Sequence, residues 1–160
     1  MRFYHGSTVD ILNIDLAKSK PNKDFGKAFY LSDDRQQALE MAQFRAEFED
    51  TTPVVNVYEF DESALSKLKS LVFCQPTEEW VDFVHQNRTV KGFHHDYDIV
   101  YGPVANDRVY AAFALYEGGV LSKQELIREL RTYKLVDQYL FHTSQALQYL
   151  SFVEAKEVIL

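Results

Sequence analysis

Three short stretches, far apart in the chain, end in residues able to hold a ligand: His5-Gly6-Ser7, Phe29-Tyr30 and Gln138. In the first, the apolar and aromatic run Met1 to Tyr4 ends in a histidine, a glycine and two hydroxyl residues. A strand built this way delivers one polar side chain to the rim of a cleft. Gly6 has no Cβ, so its backbone can lie flush against a flat ligand and offer its N–H and C=O. In the second, a flexible Phe25-Gly26 turn feeds a short aromatic strand that carries Tyr30. In the third, Val136 to His142 reads as a strand whose successive side chains point to opposite faces. Gln138, Leu140 and His142 share one face and Asp137, Tyr139 and Phe141 the other, so Asp137 is a poor substitute for Gln138 in any cleft that Gln138 faces.

Residues 9 to 23 are a polar surface loop with one proline, placed to lie over a cleft. Ser32 or Asp33, with Gln36 in capping-box position, opens a helix whose core face is Ala38, Met41, Ala42, Arg45 and Phe48. Pro53 to Phe60 has the β-branched and aromatic density of a strand in the middle of a sheet. Asp61 caps a short helix to Leu68, and a longer helix from Thr77 puts Trp80, Phe83, Val84 and Asn87 on one stripe. A loop, Gln86 to Tyr97, leads into a buried strand broken at Gly102-Pro103 and ending in Asn106-Asp107. Asn106 and Asp107 either cap the next helix, Arg108 to Tyr116, or belong to the site; Asn87 and Arg88 either meet a phosphate or fix a loop. Gly118-Gly119 stops the helix, Ser122 and Glu125 box another, and a short helix from Ser144 precedes a closing strand from Ser151. Strands and helices mix without regular βαβ alternation, which predicts an α+β domain of largely antiparallel strands, one domain over residues 1–160.

Bulk composition narrows the function classes. With 46% hydrophobic and 26% charged residues the chain is globular in type, and 14% aromatic residues predict a core or cleft rich in rings. A net charge of −7 provides no broad basic footprint for a phosphate backbone and disfavours long-range nucleic-acid binding. Cys74 is the sole cysteine, has no partner for an internal disulfide, and reads as a small buried hydrophobe. No apolar stretch has signal-peptide character or reaches the about 18 residues of a membrane span, so a soluble, cytoplasmic protein with no membrane partner is expected.

Two patterns do not carry the chemistry they suggest. Asp24-Phe25-Gly26 matches a protein-kinase signature, but the catalytic-loop and glycine-rich segments that accompany it there are missing from the sequence. His94-His95 with Asp96 and Asp98 sits in a loop where adjacent histidines do not converge easily on one ion, so no metal site is assigned.

The ordered set Tyr4 to Thr8, Asp24 to Ser32 and Asp137 to Leu147 resembles the ADP-ribosyltransferase superfamily. The likeness is to its diphtheria-toxin-like and poly(ADP-ribose) polymerase branch, known for a His-Tyr-Glu triad on three strands. The intervening segments Trp80 to Arg88 and Asp98 to Asp107 resemble those of small bacterial proteins placed with that superfamily, over nearly the whole chain. The resemblance implies split antiparallel sheets with flanking helices, and NAD as co-substrate. It puts His5 at the triad histidine on the adenine-side ribose, Gly6 where backbone grips the nicotinamide amide, and Tyr30 where a ring stacks on nicotinamide. Ser7, Phe29 and Asn106 fall in the matching segments as further dinucleotide-binding positions. The chain departs from the pattern at the acid, where Gln138 stands, and at Ala28, where glycine is more usual.

The chemistry asks for the same residue types. Breaking the bond between nicotinamide and ribose develops an oxocarbenium-like sugar, so a site gains by fixing the leaving group and placing negative charge near the ribose. Gln138 accepts the same hydrogen bond as a carboxylate but brings no charge. The expectation is an NAD-dependent mono-ADP-ribosyltransferase acting on a protein, nucleic-acid or small acceptor, with NAD glycohydrolase activity as a side reaction. By resemblance it is a toxin with a neutralising antitoxin partner. The alternative is a catalytically inactive module that binds NAD, ADP-ribose or a partner.

Overall fold

Along β1 (Arg2–Ser7), alternation sends Phe3 and His5 to one face and Tyr4 and Gly6 to the other, and the two faces meet different layers. The computed structural model describes residues 1–19, 25–104 and 107–159. β1 pairs with β3 (Val54–Phe60), which pairs with β7 (Leu150–Glu157), both antiparallel, so β3 is the central strand as its composition predicts. The second sheet has the order β2 (Phe29–Leu31), β6 (Val136–Phe141), β5 (Ile99–Val104), β4 (Ser70–Val72). Its pairings are antiparallel except β4 with β5, which run parallel. The expected α+β class is observed.

The sheets join at one place. Tyr4 N–H donates to the Ser32 carbonyl at 2.8 Å and Ser32 N–H donates back to the Tyr4 carbonyl at 3.0 Å. Between the sheets, Phe3, Tyr58 and Phe60 of the first pack against Leu31, Ile99 and Phe141 of the second. The other face of the second sheet, with Val100 and Leu140, is covered by helices α3 (Glu78–Thr89), α4 (Asp107–Glu117) and α5 (Lys123–Leu130) through Trp80, Phe113, Leu126 and Leu130. Trp80 satisfies its indole N–H on the Pro103 carbonyl at 2.9 Å. The α5 capping box between Ser122 and Glu125 is present as expected. Two short helices, α2 (Ala64–Lys67) and α6 (Ser144–Leu147), and a 3-10 turn over Leu16–Lys18 are the other helical elements among the described residues.

The outer face of the first sheet is covered by α1 (Arg35–Glu49). Its cap is Asp34, which accepts from Gln36 N–H at 2.9 Å, in place of the predicted Ser32 or Asp33. Its buried stripe is Ala38, Ala42 and Ala46, whereas Met41 and Phe48, assigned by spacing to the core, are exposed. The reason lies in β1. A Cβ on Gly6 would collide with the Ala38 carbonyl and lie 2.7 Å from Ala42 N, so the helix rests on bare backbone and only alanines fit beneath it. A second correction concerns Cys74, which is exposed. β4 ends at Val72 and the following Phe73 takes the buried position, so alternation does not carry Cys74 into the core.

Candidate functional site

The cleft is built where the two sheets join. His5 sits one residue beyond the Tyr4–Ser32 bridge, and its ring stacks on Phe29 at 4.3 Å between centroids with 25° between planes. His5 Nδ1 lies 2.7 Å from the Tyr30 carbonyl oxygen. A carbonyl only accepts, so Nδ1 carries the hydrogen, which makes Nε2 the acceptor nitrogen of the neutral ring. Tyr30 is fixed at its other end, its hydroxyl donating to the Gly26 carbonyl at 3.0 Å. Gly26 has φ +86°, a left-handed turn that suits glycine, and Asn87 fills the space where a side chain would go, 2.9 Å from that point. Asn87 is thereby committed to the fold, donating to the Phe83 carbonyl at 2.8 Å, and Arg88 lies over the Tyr110 ring at 3.9 Å; neither lines the cleft.

Two hollows that share His5, Tyr30 and Arg45 in their linings open from this point. The smaller, about 90 Å³, is lined by His5, Gly6, Tyr30 and Gln138, together with Tyr4, Ser32 and the α1 residues Gln37, Met41 and Arg45. The three triad-like positions, brought from β1, β2 and β6, therefore share one cavity. The larger, about 910 Å³, runs from His5, Ser7, Phe29 and Tyr30 along residues 9 to 19 to Arg45 and Glu49. Its volume lies within the ~300–1,000 Å³ common for small-molecule sites. Of the loop expected to lie over a cleft, residues 9 to 19 form its wall and residues 20 to 23 lie outside the described residues. Its hold on the sheet comes from β3, where Asn56 accepts from Ile11 N–H at 2.8 Å and donates to the Val9 carbonyl at 3.0 Å. Tyr58 adds a bond from its hydroxyl to the Ile11 carbonyl at 2.7 Å, and burial pushes its phenol pKa up.

Gln138 faces the smaller hollow and Asp137 does not. Asp137 points to the opposite face beside Tyr101, where burial raises its pKa and the hydrogen bond from Tyr101 pulls it partly back. On the same side Tyr101 is raised to about 12, chiefly by burial and then by the Asp137 charge. The alternation read from sequence holds. Gly6 lines the smaller hollow, and its missing Cβ also admits α1. Ser7 is buried at the edge of the larger hollow. Ala28 donates its N–H to Ser19 Oγ at 3.0 Å, tying the loop to β2. Asn106 lies outside the described residues.

Sequence reasoning missed Asn56, Gln37, Arg45 and Glu49. A single amide inside the β-branched run Val54 to Tyr58 was the signal for Asn56. Gln37, Arg45 and Glu49 fall at i, i+8 and i+12, with Met41 at i+4, one stripe beside the buried alanines, and a cation within an otherwise apolar helical spacing marked Arg45.

His142, on the same strand face as Gln138 but beyond Leu140, reaches another task. Its Nδ1 donates to the Lys27 carbonyl at 2.9 Å, while His95 Nε2 donates to the Phe25 carbonyl at 2.9 Å. The two imidazoles meet edge to face at 4.3 Å and together clamp the turn that carries Tyr30. Burial, then the neighbouring His95, lowers the His142 pKa to about 4, and burial lowers that of His95 as well.

Among protein families, the one described as "Protein of unknown function (DUF3990)" matches residues 1–152. The chain belongs to the DUF3990 family. Comparison with curated proteins and with solved structures gave no match. Among the described residues of this DUF3990 chain, no cluster of three His, Cys, Asp or Glu side chains is arranged to hold a metal ion. No described helix is long and apolar enough to cross a membrane.

Proposed function

We propose that the protein is an NAD-dependent mono-ADP-ribosyltransferase of the His-Tyr-Glu type, with an ADP-ribosyltransferase-like fold and Gln138 at the acid position. The observation that carries this reading is the convergence of His5, Gly6, Tyr30 and Gln138 on one cavity at the join of the two sheets. Tyr30 supplies a flat ring whose position is held at both ends, by its hydroxyl on Gly26 and its carbonyl on His5, and so preorganises a surface for nicotinamide. The larger hollow gives the rest of a dinucleotide room along Ser7 and the loop of residues 9 to 19. In the reaction, the bond from nicotinamide nitrogen to the ribose carbon breaks with its electron pair on nicotinamide. The acceptor's nucleophile then bonds to that carbon and its proton goes to solvent. Gln138 accepts a hydrogen bond from the ribose hydroxyl, which orients the sugar without adding charge. Water in place of the acceptor gives the glycohydrolase reaction. The acceptor is a protein, nucleic acid or small molecule, and a toxin role with a neutralising protein belongs to the same reading.

A second reading is favoured by one specific observation. The described lining of the smaller hollow has two side-chain amides and a guanidinium but no carboxylate, a poor environment for growing positive charge. That composition suits a module that binds NAD or ADP-ribose without turning it over. Incubating the protein with NAD and cell extract, and following nicotinamide release and labelled products, separates the two. Turnover lost in Tyr30→Ala supports the enzyme; saturable NAD binding with no nicotinamide release, unchanged by Gln138→Glu, supports the binding module.

A further inference from the structure

Arg45 lines both hollows and is the only residue of α1 that sits where they meet, with Gln37 and Met41 toward the smaller and Glu49 toward the larger. It is partly buried, and among the described residues no carboxylate comes within ion-pair distance of its guanidinium. Glu49, one helical turn away and the natural i+4 partner, instead accepts a hydrogen bond from the Thr8 hydroxyl at 2.7 Å. A half-desolvated cation left without a counter-charge costs stability, and an anionic ligand relieves that cost.

Carboxylates Asp10, Asp15 and Glu49 lie in the larger hollow together with the cation Lys18, no carboxylate lies among the described lining of the smaller, and Arg45 lines both. A ligand filling both hollows must pass its middle beside the guanidinium. We propose that Arg45 is the pyrophosphate-binding residue of this cleft, so that the ligand is a molecule with two flat, largely uncharged ends joined by a diphosphate. The planar fork of an arginine suits bidentate contact with phosphate oxygens. This assignment rests on the dinucleotide reading above and narrows it to the residue that holds the bridge.

The test is a set of binding titrations with NAD, ADP, adenosine and nicotinamide on wild type, Arg45→Gln and Arg45→Lys. The expected result is that Arg45→Gln weakens NAD and ADP at least about tenfold, in line with loss of a charged hydrogen bond. Adenosine and nicotinamide should keep their affinities, and Arg45→Lys should recover part of the loss. Unchanged ADP and NAD affinity in Arg45→Gln overturns the assignment, and so does an equal loss for all four probes. Wild-type binding of ADP that depends on Arg45, without NAD binding, keeps the anion site and removes the NAD reading. NAD binding indifferent to Arg45 keeps that reading and removes the site. Binding of none of the four removes both.

Discussion

His5 Nδ1 and the Tyr30 carbonyl oxygen, 2.7 Å apart, tie the first strand of one sheet to the first strand of the other, beside the backbone bridge of Tyr4 and Ser32. The bond orients the imidazole while the Phe29 ring supports it from one side. Replacing His5 with Ala removes both, and an expected cost of about 1–3 kcal/mol follows from a part-buried hydrogen bond and a stacked pair. Urea unfolding measures it. His5→Asn, which keeps a donor, should lose less stability, and both variants should lose NAD binding.

Gly6→Ala tests the role of α1. The added methyl meets helix backbone, which cannot step aside as a flexible side chain would. The expected loss is about 1–3 kcal/mol or more, the range of overpacked cores, read as a lowered midpoint in thermal or urea unfolding. A variant with unchanged stability would mean that α1 shifts freely on the sheet.

Gln138→Glu restores a carboxylate at the position that faces the smaller hollow. If the cleft cleaves NAD, nicotinamide release should rise by about 10–1,000-fold, as placement of one charge-stabilising group commonly does. Quantifying free nicotinamide over time checks it. No gain, with NAD affinity retained, argues that the ribose lies elsewhere.

The His95–His142 pair makes the clamp on the Tyr30 turn acid-sensitive. His142 has its folded pKa lowered to about 4, so the folded protein resists a proton that the unfolded chain accepts from an ordinary value of 6.5 downward. Stability is therefore complete above pH 6.5 and falls as the pH drops from there toward 4, levelling below it. The nearby Asp98 favours the charged form and His95 opposes it. The loss should be on the order of 2–3 kcal/mol. Urea midpoints across this range for wild type and His142→Gln, which cannot titrate, measure the difference; parallel curves would sink the idea.

Local signals were legible where a single element decides them. The strand density of Val54 to Phe60, the capping box of Ser122 and Glu125, and the opposite facing of Asp137 and Gln138 follow from propensity, capping chemistry and the two-residue strand period. They need no knowledge of what packs above. The core face of α1 was not legible, because Met41 and Phe48 satisfy helical spacing as well as the alanines do. Only the close approach of the helix to Gly6 decides which stripe is buried. Cys74 was misassigned for a related reason: an apolar run does not state where its strand stops.

By itself, then, the order of residues determined the α+β class, most of the elements and the identities of His5, Gly6, Tyr30 and Gln138 as candidates, since these depend on residue type and short spacing. Tertiary structure decided that three strands from distant parts of the chain bring them to one cavity. It also decided that Asn56 holds the loop wall and that Arg45 lines both hollows with no ion-pair partner among the described residues. Contacts such as His5 with Tyr30, 25 positions apart, and His142 with Lys27, 115 positions apart, depend on how sheets join and how closely a helix can rest on them, and side-chain periodicity carries no record of either.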